Sequence, residues 1–435
     1  MERDFFSGEL SVEAIPQIGA VIVEGDTDIV YREEGETAPL PIPGTSHNYI
    51  PWGGDNQLPY KIIDRVEEDE TLTVCHDFQS EALFAGGLDY VCDDVVPDAV
   101  REMVEDFTLD NNLAEYHLGI CRDLRMFEFA VTVLILSMDG MRILSMVRKE
   151  AAYCRFSAPE DDGRIRYVHY ADWRRSVGSE RNPVETIVML DMRNPRASLE
   201  DLAERGVKKV AYVTRLPSKD SLIYPIPSYA AIFRGRWYRI KRKIAIAKEA
   251  AIRNSTRLKY LIEISQGYWD RHFRENNIID PAEKLQEVNR IKQQMIDFIT
   301  GAENSGKALF ATFMSSPDGR AEIHDVKITS LESQKEGGDW SADHAESVNM
   351  LCFAMRVHSN LVGSVPGKSQ MNNSGSDKRE LYTIAQAMQQ PYRKIAAHLH
   401  RIVIRYNGWR GVRVTTPLLQ LTTLDEHKDV KESGK

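Results

Sequence analysis

Between Phe273 and Tyr406 the chain reads as helix, strand pair, acidic loop with glycines, helix, Gly/Ser/Asn-rich joint and helix. This order constrains the fold more than any other feature, because each boundary carries its own chemistry. Asp280 stands as an N-cap, Pro281 occupies the first helical position, and Glu283 sits where a capping box needs a carboxylate. The seam Leu285, Val288, Ile291, Met295 and Phe298 follows at helical spacing, and Gly301 closes it. Residues 308–314 and 321–328 read as paired strands around Ser316-Pro317-Asp318-Gly319. The next segment, Glu332, Ser333, Gln334, Lys335, Glu336, Gly337, Gly338 and Asp339, has no periodicity and two glycines, which predicts a mobile loop. A helix is expected over 340–359 and loop composition over 363–376. A last helix, kinked by Pro391, is expected over 377–406, before a polar tail.

The part before this series reads as an α+β domain. Residues 1–48 are acidic and rich in Gly, Pro and Thr, predicting an extended arm with one strand at 20–23 that docks on a neighbour. After the turn Pro51-Trp52-Gly53-Gly54-Asp55-Asn56, helices are expected over 59–66, 71–84 and 111–125. The period then changes to two: 127–136 with 141–147, and 153–157 with 164–170, are hairpin signatures, and 186–191 and 208–214 add two strands. From Ser228 a long helix is expected. Its residues Phe233, Trp237, Ile240, Ile244, Ala247 and Ala251 form a single apolar seam, the mark of a helix packed along one side. A strand at 258–264 and an irregular aromatic segment at Gly267-Tyr268-Trp269 follow.

Charge is unevenly placed. The chain of 435 residues has a formal net charge of -10, yet ten basic residues against the single acid Glu249 lie between Arg234 and Lys259. This basic helix has three readings that charge alone does not separate: a solvated face, a contact with nucleic acid, or a contact with an acidic protein collar. The run Ala130 to Leu136 is far short of the ~20 apolar residues that span a bilayer, and Met-Glu-Arg-Asp is no secretory leader. A soluble intracellular product without membrane contact is expected. Cys75, Cys92, Cys121, Cys154 and Cys352 show no C-x-x-C pair, so buried free thiols are expected.

No candidate for catalysis passes a chemical test. Gly301 to Lys307 fits G-x-x-x-x-G-K, but Ala308 stands where a hydroxyl must hold Mg²⁺, and the segment follows a helix and precedes a strand, the reverse of the phosphate-binding order. Gly363 to Ser369 is one residue too short between its glycines, and Pro366 lacks an amide donor. His398 and His400 face different sides of a helix, and neither H-E-x-x-H nor G-x-S-x-G occurs. No cofactor and no metal site is read from the sequence.

The element order over residues 51–409, most specifically 229–391, resembles the portal proteins of tailed bacteriophages, the head–tail connector rings. The residues that carry the resemblance are the helix ending Ile252-Arg253-Asn254 and the strand after it, the helix closing on Gly301-Ala-Glu-Asn-Ser-Gly306-Lys307 with the strand from Ala308 to Phe313, the helix ending Val357-His-Ser-Asn-Leu-Val362-Gly363, and Ser374 to Glu380 before the helix broken at Pro391. Relatives often carry Val-Pro where this chain has Val357-His358, so the resemblance is to the broad superfamily.

The resemblance implies an α+β portal fold: an N-terminal arm (1–50), an α/β wing (51–227), two long stem helices (228–254 and 281–300) flanking a clip (255–280), wing strands with a tunnel loop (332–339) and tunnel helix (340–360) within 301–376, a small helical crown (377–410) and a tail (411–435). It implies a non-enzymatic homo-oligomer, a dodecameric ring at a capsid vertex of the virion, assembled in the host bacterial cytoplasm. Double-stranded DNA would pass through its channel during packaging and ejection. The tunnel loop would face that DNA, and Arg239, Lys241, Arg242 and Lys243 on the first stem helix would contact protein or DNA. Tyr268, Trp269, Asp270 and Arg271 of the clip would meet the head–tail adaptor and the terminase large subunit. The major capsid protein or scaffold would be a further partner. An acidic conduit without an ATP site suits passive translocation. The alternative is a DNA-processing enzyme of a mobile element, a nuclease or nucleotide-dependent, that binds DNA through the basic helix 234–259.

Overall fold

The computed structural model describes residues 11–15, 20–24, 38–217, 223–255, 260–300, 313–315, 322–324, 326–330, 340–363 and 375–421. The chain divides into two compact units, Met1–Ile244 with Asp339–Lys435, and Ala245–Gly338.

The first unit is built on a six-stranded sheet in the order Ile143–Lys149, Phe129–Leu136, Lys209–Arg215, Glu185–Met189, Tyr167–Tyr170, Cys154–Phe156. Both hairpins read from the sequence are present as antiparallel pairs, with Val133 opposite Val147 and Phe156 opposite Val168. Glu185–Met189 and Lys209–Arg215 run parallel, and helix Pro195–Glu204 makes the crossover that a parallel pair requires. Strand Phe129–Leu136 explains the longest apolar run in the sequence. Its Phe129, Val131 and Val133 enter one core with Trp52, Phe156 and Ala345. Ala130, Leu134 and Leu136 enter a second core with Leu124, Leu399 and Val403. A strand buried on both faces has no reason to alternate in polarity.

Several boundaries differ from the sequence reading. The helix expected over 111–125 is Leu113–Phe127, and a further helix, Asp98–Asp110, precedes it, with Asn112 left-handed at φ 41° between them. The expected polar tail supplies strand Val412–Thr415, antiparallel to Asp89–Cys92. The end of the expected arm is core: Ile42 and Ile50 are buried, and the Ile50 amide donates to Phe156 O at 2.8 Å. Strand Ala20–Glu24 pairs with a second arm strand, Ser11–Ile15. Pro391 starts a helix rather than kinking one: Gly375–Met388 and Gln390–Tyr406 are separate, and proline is tolerated in a first turn because its missing N–H has no intrahelical partner there. The tunnel-helix candidate is Trp340–Ala354. It stops short of 359 because Arg356 turns left-handed at φ 56° and the Val357 amide donates to Cys352 O, a Schellman-type end. The helix expected from Ser228 is interrupted as well: Ala231–Arg234 ends at extended Gly235 (ψ 161°), and Arg236–Ser255 begins anew.

In the second unit, Tyr260–Ile264 pairs antiparallel with Val326–Ser330, and Phe313–Ser315 with Glu322–His324. The strand expected over 321–328 is therefore two strands with different partners. Helix Pro281–Thr300 begins where its start chemistry predicts, with the Ala282 amide donating to Asp280 Oδ1 at 3.4 Å. The aromatic segment expected to be irregular is helix Gln266–Glu275, capped by Ser265, whose side chain accepts from the Tyr268 amide. The loop 332–339, the glycine-lysine segment 301–307, the beginning of the strand expected at 308–314 and most of the joint at 363–376 lie outside the described residues.

Candidate functional site

Helix Glu70–Phe84 is the element on which the candidate stem and tunnel helices of the first unit are anchored. Its N-cap, Asp69, accepts from the amides of Thr71 and Leu72 at 3.0 Å each. The same Oδ1 receives Lys241 Nζ at 2.8 Å; Thr71 Oγ1 at 2.9 Å and Glu70 Oε1 at 3.1 Å complete the ammonium's shell. Lys241 is 3% exposed, so this cation is spent inside the fold, pinning Arg236–Ser255 to a helix N-terminus. One turn along, Cys75 Sγ lies 3.8 Å from Cys352 Sγ of Trp340–Ala354. The hydrogen bond to Cys352 and burial push the Cys75 thiol well above its ordinary range. All five cysteines are free. Further along, Gln79 donates to Met355 O and accepts from Arg125 Nε at 3.2 Å, while the Arg125 guanidinium lies 4.5 Å from the Tyr392 ring centre. Apart from the Asp69 cap, the sequence signals none of these contacts, because their partners are far apart along the chain.

The other predicted cations of the candidate first stem helix are distributed differently. Arg242 reaches Glu68 at 3.8 Å and lies 5.6 Å from the Tyr238 ring. Arg239 is half-buried and Lys243 exposed. Tyr238 and Lys241 are the buried positions of this helix start, whereas Ile240 of the predicted seam is 36% exposed and Trp237 half-buried. The seam is thus only partly covered by its own unit.

In the second unit the four predicted clip residues lie on one helix, Gln266–Glu275. Trp269 is buried and stacks on Phe273 at 5.9 Å; Tyr268 stacks on His272 at 5.8 Å. Asp270 is exposed and Arg271 half-buried. His272 Nε2 lies 3.0 Å from Glu287 Oε1 of Pro281–Thr300, and Arg290 forks onto the same carboxylate at 2.6 and 2.7 Å. Arg290 first, then His272, hold Glu287 down to about 2. The His272 contact joins Gln266–Glu275 to Pro281–Thr300.

A further node escaped the sequence reading. Arg155 is fully buried, with Nη2 donating to Asn56 O at 2.8 Å and Nη1 to Ala152 O at 2.9 Å. Its guanidinium lies between Trp52 and Trp173, 5.5 and 5.4 Å from their ring centres. The turn at Pro51–Asn56 is thereby fixed on the sheet, and Trp52 stacks on Tyr224 at 4.6 Å. The Asn56 carboxamide, accepting from the Trp52 amide, was the available sequence signal, since Asn tolerates the left-handed φ of 61° found there. A cleft of about 680 Å³ lined by Arg164, Arg193, Arg215, Lys394 and His398 is one further cationic feature, and a cleft lined by Arg401, Arg405, Arg410 and Arg413 is another. In the first, Arg164 is paired with Asp162 and Asp191 at 2.7 and 3.2 Å. Among the described residues no group of three or more His, Cys, Asp or Glu converges, and no helix is long and apolar enough to cross a membrane.

The sequence matches no protein-family model and no curated protein sequence. Solved structures do match. A chain of the virion of the native gene transfer agent particle is 12% identical, with a TM-score of 0.54 over 92% of this chain and 90% of that one. A chain from the neck of the native particle, computed with C12 symmetry, is 13% identical with a TM-score of 0.55, over 92% and 91%. A chain from the neck of the empty particle, computed with C6 symmetry, is 12% identical with a TM-score of 0.54, over 91% and 90%. At these identities the likeness is one of fold, and it extends over both units. The resemblance to head–tail connectors read from the sequence therefore holds at the level of fold.

Proposed function

We propose that this chain is the subunit of a portal: a structural, non-enzymatic ring of a phage-like particle, seated at the vertex where double-stranded DNA enters and leaves. The observation that carries the reading is the fold shared across 92% of the chain with a chain of a particle neck of C12 symmetry. By analogy the copies form a closed ring, twelvefold in the mature particle, in which the Arg236–Ser255 and Pro281–Thr300 helices are the stem. Helix Gln266–Glu275, with Tyr268, Asp270 and Arg271 on it, is the clip that meets adaptor and terminase. Residues 332–339 are the tunnel loop facing DNA, and Gly375–Met388 with Gln390–Tyr406 is the crown. Capsid protein or scaffold holds the ring at its vertex. Two physical features support a conduit. The net charge of -10 disfavours tight phosphate binding that would stall a sliding duplex. The most basic helix also spends Lys241 on Asp69 within the fold.

Negative-stain imaging of the purified full-length chain tests this reading. Rings with a central opening wide enough for a duplex are expected. A monomer, above all one that cleaves DNA, contradicts it and favours the DNA-processing alternative.

A further inference from the structure

Within the first unit, the Ala231–Arg234 helix, the start of Arg236–Ser255, the outer side of Trp340–Ala354 and the end of Gly375–Met388 surround an apolar groove of about 740 Å³. Ile232, Trp237, Met350, Phe353, Val357 and Met388 line it. Phe353 is 77% exposed, Met388 43% and Met350 36%. One turn further along their helices, Ile384 and Ile240 extend the apolar character, at 56% and 36% exposure. A single exposed apolar side chain needs no explanation; a groove flanked by five on three helices does. Helix Trp340–Ala354 makes the point by itself. Its Ala345, Val348, Leu351 and Cys352 face the core, yet Met350 and Phe353 are left outward. A helix apolar on both sides is one that is covered on both sides.

We infer that this groove is a subunit contact, which a second copy of this chain covers with Phe353 near its centre. The inference rests on the ring reading given above and says which surface closes the ring. In a cyclic assembly each copy offers two different surfaces to its two neighbours, and the groove is one of them. Charge selects the occupant. Two copies that each carry -10 repel one another, so they approach best where carboxylates are absent. The groove lining contains no Asp or Glu, and its only permanently charged side chain is Arg356. That cation at an apolar site suits the acidic surface of another copy, in the common interface arrangement of an aromatic anchor within a polar rim. The seam of the first stem helix has the same explanation: Trp237 and Ile240 are only partly covered because the rest of their cover comes from the neighbour.

The test uses the full-length chain. Phe353→Glu should leave the melting temperature of the dissociated chain unchanged, since the side chain is exposed, while weakening subunit association by ~30-fold or more. A second variant, Phe353→p-benzoylphenylalanine, is irradiated in assemblies mixed from isotopically heavy and light chains; cross-linked peptides of mixed isotope are expected. Wild-type rings together with Phe353→Glu rings of undiminished affinity, or cross-links confined to one chain, overturn this inference and leave the ring reading standing. A wild-type chain that stays monomeric at all concentrations overturns the ring reading first. Cross-links in the particle to a different protein reassign the groove to that partner and overturn the inference.

Discussion

The ammonium of Lys241 faces the Asp69 carboxylate at 2.8 Å with both side chains about 5% exposed or less, and removing one member of such a pair strands the other. Lys241→Ala is therefore expected to destabilise the first unit by about 3 kcal/mol, measured as a lowered urea midpoint. Lys241→Met, which keeps the stem's volume, loses the same charge but retains more packing and should cost less. A change below about 1 kcal/mol in both variants would mean that the pair is not formed. Three buried histidines contribute a pH response, opposed over the same interval by Asp123, which burial raises to about 6. Burial, with Arg125 and Arg122 beside it, lowers His76 to about 4; burial and Arg393 lower His117 to about 4; burial and His117 lower His400 to about 3, while its Nδ1 lies 2.8 Å from Tyr90 Oη. Each value lies below the ordinary histidine value of 6.5, so in that window the unfolded chain takes up protons that the folded chain refuses. Their contribution is complete above pH 6.5 and is lost as pH falls through about 4 for His76 and His117 and about 3 for His400. The melting temperature should fall across that interval, and less steeply in His117→Phe than in the wild type; a melting temperature rising on acidification through the same interval would contradict the assignment.

At the scale of elements, the proposed clip role of Gln266–Glu275 can be tested apart from its stability. Trp269 is buried against Phe273, so Trp269→Ala is expected to cost about 3 kcal/mol locally, seen as faster protease cleavage within 260–300. Asp270→Lys, at an exposed position, should leave that cleavage unchanged and reduce adaptor or terminase capture by the ring if this face is the docking clip. Equal effects of both changes on cleavage would remove the distinction. The proposed tunnel-loop role of residues 332–339 makes an independent prediction: shortening them should leave assembly intact while lowering packaged DNA per particle, and normal packaging would contradict that role. Elements with local causes were legible from sequence. The capped start at Asp280 and the two hairpins follow from neighbouring residues, whereas the burial of strand Phe129–Leu136 on both faces, where period two was read, depends on distant partners such as Ala345 and Val403. What escaped depends on distance along the chain. Strand Val412–Thr415 exists because Asp89–Cys92 offers an edge. Helix Gln266–Glu275 escaped because glycine and bulky aromatics, poor helix formers, are outweighed by the Ser265 cap and the aromatic stacking along it.

At the scale of the whole molecule, the element order carried more functional information than any residue motif. The glycine-lysine segments fail as phosphate loops on chemistry alone, whereas the helix, strand and helix order led to a resemblance in keeping with the fold that the chain shares, over 92% of its length, with a chain of a gene transfer agent particle neck. The candidate site was less legible. Charge density marked Arg239, Lys241, Arg242 and Lys243 alike, and only three-dimensional packing distinguishes buried Lys241 from exposed Lys243. Likewise, the single apolar seam read from Phe233 to Ala251 is broken at extended Gly235, and the start of Arg236–Ser255 buries Tyr238 and Lys241 while Ile240 of the seam stays 36% exposed, a distinction that spacing alone does not give. Ring formation is the claim on which the stem, clip and tunnel assignments all depend, and native mass spectrometry of the full-length chain tests it most directly. The account predicts a closed species of about twelve chains, by analogy with the C12 neck, that dissociates when Phe353 becomes Glu. A mass of one chain at every concentration and salt condition would contradict it.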